Sequence, residues 1–249
     1  RYVQKFGRFR GIGEATIVRL DYDKTNTLDG PSISNNDRDR NVYAGGLQLG
    51  YEIVPSYEAF VRAEGNERKY DRRLDDGGVE RNSQGYNAVA GLALDLGGVT
   101  FGEVYVGYLE QFYEDDTFNT LSAPTFGGTL TWNATTLTTL NARVARVVQE
   151  TTSGGSSGIL RTTGGLSADH ELLRNLILSA GFTITNDDYQ DIKRNDYYYI
   201  PGISARYLMN RNIYANIGYQ FVHHTTNGRD SDDDPYDQSL VRIGLEAQL

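Results

Sequence analysis

The 249-residue sequence has no cysteine, one methionine, one tryptophan and five prolines. Without cysteine there is no disulfide framework, no thiolate metal site and no cysteine nucleophile. Nowhere does the chain hold the roughly 18 to 20 consecutive apolar residues of a membrane helix, and its mean hydropathy is −0.50. This excludes membrane helices but leaves membrane-crossing strands open, because their hydrophobic signal per segment is weak. Basic charge is also short. Lys and Arg number 24 against 33 Asp and Glu, for a net charge of −9, and no basic run or stripe stands out, so a nucleic-acid partner is not expected. Arg1 opens no charged-then-apolar leader; for an exported protein, such a leader is expected to have been removed or to lie outside this stretch.

What is abundant is tyrosine, with 18 residues, and glycine, with 28. Both favour strands and tight turns over helices. Short and long connections alternate along the chain. The short ones fall at Gly7–Arg8, Val54–Ser56, Gly97–Val99, Asn133–Thr135, Leu172–Asn175 and Met209–Asn212. The long ones run over Lys24–Arg40, Asp71–Gly85, Asp115–Ala123, Thr151–Gly158, Asp187–Asn195 and Thr225–Asp237, and carry the Asp, Asn, Ser, Gly and Thr of loops. Between them lie about twelve segments of about ten to fourteen residues, longer than the usual globular strand and long enough to cross a bilayer at a tilt.

Within the segments the period is two. Tyr43, Leu47, Leu49 and Tyr51 share one face, while Gln48 and Glu52 take the other. Leu176, Leu178, Ala180, Phe182 and Ile184 oppose Ser179, Thr183 and Thr185. Ile213, Ala215, Ile217, Tyr219 and Phe221 oppose Asn216, Gly218 and Gln220. Val241, Ile243, Leu245, Ala247 and Leu249 oppose Arg242, Glu246 and Gln248. Three stretches break the pattern: Gly11–Asp23, Leu109–Glu110, and Arg146, which falls in line with Leu140, Ala142 and Val144. A bulge or a position at the membrane interface would account for each.

A soluble sandwich would turn the apolar face inward, whereas an outer-membrane barrel turns it to lipid and lines its lumen with polar residues. Three features favour the barrel. Its loops are long on every second connection, for which a sandwich has no reason. Tyr51, Tyr57, Trp132 and Tyr207 lie beside short turns, while Tyr22, Tyr43, Tyr70, Tyr86, Phe112 and Tyr197 lie near long loops; two aromatic bands at opposite strand ends suit membrane interfaces. The polar face also carries charge in mid-strand. The expected lumen residues are Arg62, Glu64, Arg143, Arg161, Arg206, Arg242 and Glu246, with Asp95 and Glu103 of the same kind. The expected aromatic girdle is Tyr51, Tyr57, Trp132, Tyr207, Tyr43, Tyr86 and Tyr197.

The runs "GYEIVPSYEAFVRAEGNERKYD" (50–71), "WNATTLTTLNARVARVVQET" (132–151), "SADHELLRNLILSAGF" (167–182) and "YLMNRNIYANIGYQF" (207–221) resemble the outer-membrane family β-barrel porin 2. The resemblance covers nearly the whole chain, through strand–turn–strand patterns rather than a catalytic signature. It implies a barrel linked to exopolysaccharide secretion in Gram-negative bacteria, and no catalytic residue set. Family members tend to be longer, so "RYVQKFGRFRG" is expected to be the tail of a preceding hairpin and the chain part of a larger barrel. The chain ends in Leu249 where outer-membrane barrels usually end in Phe.

The expectation is an all-β, antiparallel up-and-down transmembrane β-barrel of about twelve visible strands, one domain over residues 1–249, with both ends on the periplasmic side. Its expected function is a porin-like channel of the bacterial outer membrane, with service in polysaccharide export as the narrower expectation, and no cofactor and no metal. Outer-membrane lipid, lipopolysaccharide, export-machinery proteins and polysaccharide are the expected partners. A structural anchor without an open pore is the alternative, since twelve strands lie between filled and water-filled barrels. A lipid hydrolase built on Ser239 and His223 is a further alternative, for which no orienting third group is evident. His223 and His224 are adjacent on a strand and point to opposite faces, so they are expected at the outer rim rather than on one metal ion. Asp230, Asp232 and Asp234 are spaced like the start of a calcium loop but lack its Gly and its closing Glu.

Overall fold

The computed structural model describes residues 1–25, 30, 32, 34–228 and 234–247. Its strands, in chain order, are β1 (Tyr2–Phe6), β2 (Phe9–Leu20), β3 (Arg40–Val54), β4 (Tyr57–Tyr70), β5 (Ser83–Asp95), β6 (Thr100–Tyr113), β7 (Leu121–Thr135), β8 (Thr138–Gln149), β9 (Ile159–Leu173), β10 (Leu176–Tyr189), β11 (Arg194–Leu208), β12 (Ile213–Asn227) and β13 (Tyr236–Ala247). One turn of 3-10 helix, Asn36–Arg38, precedes β3. All thirteen strands form one sheet in sequence order, each antiparallel to its neighbour. The expected all-β up-and-down barrel wall is therefore present, with β1 as one strand more than expected. β1 and β13 are the two edges, and no pairing joins them among the described residues.

Partners directly opposite in a ladder share a face, so the registers carry one face across the whole sheet. One such row runs Leu49, Val61, Ala90 and Val106 over β3 to β6. On the far side, Phe182, Leu166 and Ala142 align over β10 to β8. Ile203, Tyr219 and Val241 continue that face to the last edge. No second layer covers it among the described residues: Leu47, Leu245 and Ile243 are 71%, 77% and 80% exposed. Unbroken apolar rows of that extent have no place on a soluble sheet; hydrocarbon is the solvent that suits them.

The opposite face is concave. Arg10 of β2 reaches Glu58 of β4 past β3, and Arg62 of β4 reaches Glu103 of β6 past β5. Side chains meet over an intervening strand only on the inside of a curl. Glycine makes room there. A Cβ at Gly127 would collide with the Tyr105 ring, and one at Gly91 with the Phe60 ring. Both aromatic rings thus lie flat along the wall over a neighbour with no side chain.

Two connections differ from the sequence expectation. The turn placed at Asn133–Thr135 lies instead at 136–137. A register shift between Asn133 and Thr135 carries β7 further, and the Asn133 amide bonds the Gly98 carbonyl at 2.5 Å and accepts from Thr139 Oγ1 at 2.8 Å. The long loop placed at Asp187–Asn195 shrinks to residues 190–193. Its polar residues pair within the ladder, with Asp187 opposite Asp196 and Asp188 opposite Asn195, so the alternation of short and long connections lapses there. At the short turns, Gly97 and Gly98 take φ of 64° and 78°, a left-handed pair that glycine accepts freely.

Candidate functional site

The concave face is the candidate site. The registers bring Arg62, Glu64, Arg143, Arg161, Arg206, Arg242 and Glu246 to it together: Arg62 is opposite Gln48, Glu64 opposite Asn87, Arg143 opposite Gly165, and Arg161 opposite Asp187. Arg206 is opposite Asn216, Arg242 opposite Gly218, and Glu246 opposite Tyr214. The girdle residues Tyr51, Tyr57, Trp132, Tyr207, Tyr43, Tyr86 and Tyr197 are all on the outward face. Tyr70 differs from its expected place in that band. It faces inward and is 9% exposed, because it lies on the phase of Arg62 and Glu64.

The charges mostly neutralise one another in place. Arg10 bonds Glu58 at 2.6 Å. Arg62 lies 3.6 Å from Glu64 and 3.4 Å from Glu103, with its guanidinium 4.7 Å over the Tyr105 ring. A cavity of about 510 Å³ opens over Arg10, Glu14, Gln48, Arg62, Glu64 and Glu103. Arg161 grips Asp187 through two bonds of 2.6 and 2.5 Å, the fork geometry that suits Arg to carboxylates. Arg206 bonds Asn216 at 2.9 Å and lies 3.6 Å from Glu246. A second cavity of about 740 Å³ opens there, over Asp169, Ser179, Ser204, Arg206, Asn216 and Arg242. Arg143 and Arg242 have no carboxylate partner among the described residues.

The long-loop end is filled differently. Pairing of β7 with β8 stops at Gly127–Ala145, while β8 stays paired with β9 to Gln149. Beyond that point the β8–β9 tip leaves β7 and crosses the concave face. Arg68 of β4 forms an ion pair with Glu150, and Tyr70 donates to the same carboxylate at 2.7 Å. Arg81 donates to the carbonyls of Thr151 and Ser156 at 3.1 and 2.5 Å, and its Nε bonds Asp75 at 2.8 Å. Leu109, Leu121 and Ala123, all inward, pack with Leu160, with Val148 and Tyr113 alongside. Gln111, bonded to Ser83 at 2.9 Å, is 1% exposed beneath the tip. The mouth on this side is therefore narrowed by a hairpin end of the wall itself.

The sequence breaks now have causes. Leu109 falls out of phase because it faces the infolded tip. Arg146 points outward without any bulge in β8, on the strand's last outward position before the tip packs inward. Gly11–Asp23 alternates regularly along β2, with Ile17 outward and Val18 inward.

Loop carboxylates are fixed as well. Asp115 is held down to about 2 by the Thr117 hydroxyl and by the amides of Glu80 and Thr117. Burial alone would raise Asp75; the Val79 amide and the Arg81 guanidinium outweigh it, and its carboxyl stays below the usual range.

The two histidines separate, as adjacency requires. His223 faces outward and its Nδ1 meets Asp237 at 2.6 Å. His224 departs from the expected outer rim. It is 2% exposed on the inward face, 4.7 Å from the rings of both Tyr198 and Tyr236 and 3.8 Å from Asp196. Asp237 is the orienting group for His223 that sequence reasoning missed. Ser239 Oγ is 3.1 Å from the Tyr219 hydroxyl and makes no hydrogen bond to His223 among the described residues. No group of three or more His, Cys, Asp or Glu is placed to hold a metal among the described residues. Asp230, Asp232, Gln248 and Leu249 lie outside the described residues.

No curated protein matches the chain. Among solved structures, the chain is similar to the NanC porin, at 15% identity over 96% of this chain and 99% of that one, with a TM-score of 0.41. The KdgM porin gives 11% identity over 96% and 99%, with a TM-score of 0.33. Salmonella typhi OmpF in complex with daunomycin gives 10% identity over 100% and 88%, with a TM-score of 0.39. The family model described as "Putative beta-barrel porin 2" matches residues 2–249. With that model spanning all but the first residue, the chain belongs to this β-barrel porin family.

Proposed function

We propose that the protein is a non-enzymatic channel of the bacterial outer membrane, which passes polar solutes along the concave face with its long loops outside the cell. One observation carries this reading. The mid-strand charges Arg62, Glu64, Glu103, Arg143, Arg161, Arg206, Arg242 and Glu246 share the concave face, opposite continuous apolar rows. Mixed ion pairs on the wall favour hydrated solutes of either sign over strong ion selection. Polysaccharide export is the narrower form of the proposal. Ser167, Ser179, Thr183 and Ser204 line the β9–β11 wall and offer donors and acceptors to sugar hydroxyls.

The infolded β8–β9 tip favours a second reading, a barrel closed at its mouth until a partner or solute displaces the tip. Planar-bilayer recording on the purified protein separates the two. Stepwise openings from the unmodified protein support the open channel. Silence that Arg81→Ala relieves supports the closed one, and silence in both overturns the channel. Retention of a polysaccharide probe by the purified protein, lost on substituting Ser179 and Ser204 by Val, tests the export reading.

A further inference from the structure

Among the described residues, one outward strand cation stands without a counter-ion. Arg146 faces outward on β8, opposite Thr162 of β9, and donates from Nε to Thr162 Oγ1 at 2.9 Å. Its guanidinium lies 4.8 Å from the Phe126 ring centroid. The other outward strand cations carry their own counter-ions: Arg19 has Asp21 and Asp71, and Lys69 has Glu67. Arg146 has no carboxylate partner, and its Nη groups bond nothing among the described residues. An unpaired guanidinium beside hydrocarbon is costly unless an anion is supplied.

Next to it the outward face is hollowed. Two residues along β8 toward the short turns, about 7 Å away, Val144 stands opposite Gly164, and Ala142 stands opposite Leu166. An almost wholly apolar groove of about 690 Å³ runs over these residues, with Gly128 as its other hollow. The guanidinium therefore stands at the long-loop end of a groove that opens sideways, away from the lumen.

We propose that this groove is a specific site for a phosphate-bearing lipid, with the phosphate on the two Nη groups of Arg146 and one acyl chain lying over Gly164 and Ala142. Charge complementarity argues for the occupant. Guanidinium binds phosphate through paired, parallel hydrogen bonds, and only a lipid presents that group at the end of an apolar chain in this plane. The inference rests on the proposed reading in one respect, that the outward face meets the membrane.

The test uses the full chain in detergent, with phosphatidic acid as probe, followed by native mass spectrometry. Diacylglycerol of the same chains and inorganic phosphate are the comparators. One phosphatidic acid is expected to be retained, about tenfold more tightly than either comparator. Arg146→Gln removes the fork. Gly164→Leu fills the groove, and its new Cβ would meet nothing within 4 Å, so the fold tolerates it. Each variant is expected to lower retention about tenfold. Unchanged retention in either variant, equal retention of diacylglycerol, or a dimer of this chain that excludes the lipid overturns the site. Conductance on the same preparations keeps the two readings apart: lipid retained without conduction leaves the site standing and removes the channel, and conduction without retention does the reverse.

Discussion

Arg68 on β4 and Glu150 beyond the end of β8 form an ion pair although 82 residues and three intervening strands separate them. Both side chains are nearly buried, at 12% and 7% exposure. The pair locks the hairpin tip across the concave face. Removing one partner leaves the other charge buried, at a cost of about 3 to 5 kcal/mol. Arg68→Ala is therefore expected to release the tip and raise single-channel conductance in a planar bilayer. Tyr70→Phe, which deletes one hydrogen bond to the same carboxylate, is expected to do so more weakly, by about 1.5 to 3 kcal/mol of docking energy. Equal conductance in all three proteins would show that the tip does not limit the pore.

Arg62 stands between Glu64 and Glu103. Arg62→Gln leaves two carboxylates on the wall without their cation. Permeation is expected to shift toward cations, read as a changed reversal potential under a potassium chloride gradient. The shift should shrink as salt rises and screens the wall.

Asp115 ties the β6–β7 connection to the β4–β5 loop by accepting from the amide of Glu80 at 3.0 Å and that of Thr117 at 2.9 Å. Its folded pKa, about 2, lies below the ordinary 3.8. The stabilisation is thus complete above about pH 4 and lost as the pH falls toward 2. Hydrogen exchange at the Glu80 and Thr117 amides, corrected for intrinsic rates, should stay protected above pH 4 and open below it. Asp115→Asn should flatten that dependence.

Ser239 faces the Tyr219 hydroxyl, and His223 turns its Nδ1 to Asp237. Purified protein offered phospholipid in detergent is expected to release no fatty acid, and Ser239→Ala to change nothing. Release that the substitution abolishes would reinstate the hydrolase.

Much of this architecture is legible in the sequence because a strand has only two faces. Arg62, Glu64, Arg242 and Glu246 sit on the polar phase of their segments, and the ladders leave them no other wall. The same parity test, applied to Tyr70 and His224, would have turned both inward; their closeness to long loops was the weaker signal. The infolded tip was not legible, because Arg68–Glu150 and Leu109–Leu160 are long-range contacts that no local period records. Its only trace was the phase break at Leu109 and the polar Arg146 on an apolar phase. The bulge at Asn133 was hidden for a related reason: the Asn133 side chain bonds a neighbouring turn, at the Gly98 carbonyl, a contact that no local period records.

The recess that Gly127 leaves for Tyr105 means that the bore of this wall is governed by residues with no side chain. A single methyl group at Gly127 would lift a whole phenol ring off the strand and into the passage. The calibre of the opening can thus be retuned, through Gly127, by a substitution that adds nothing to its charge.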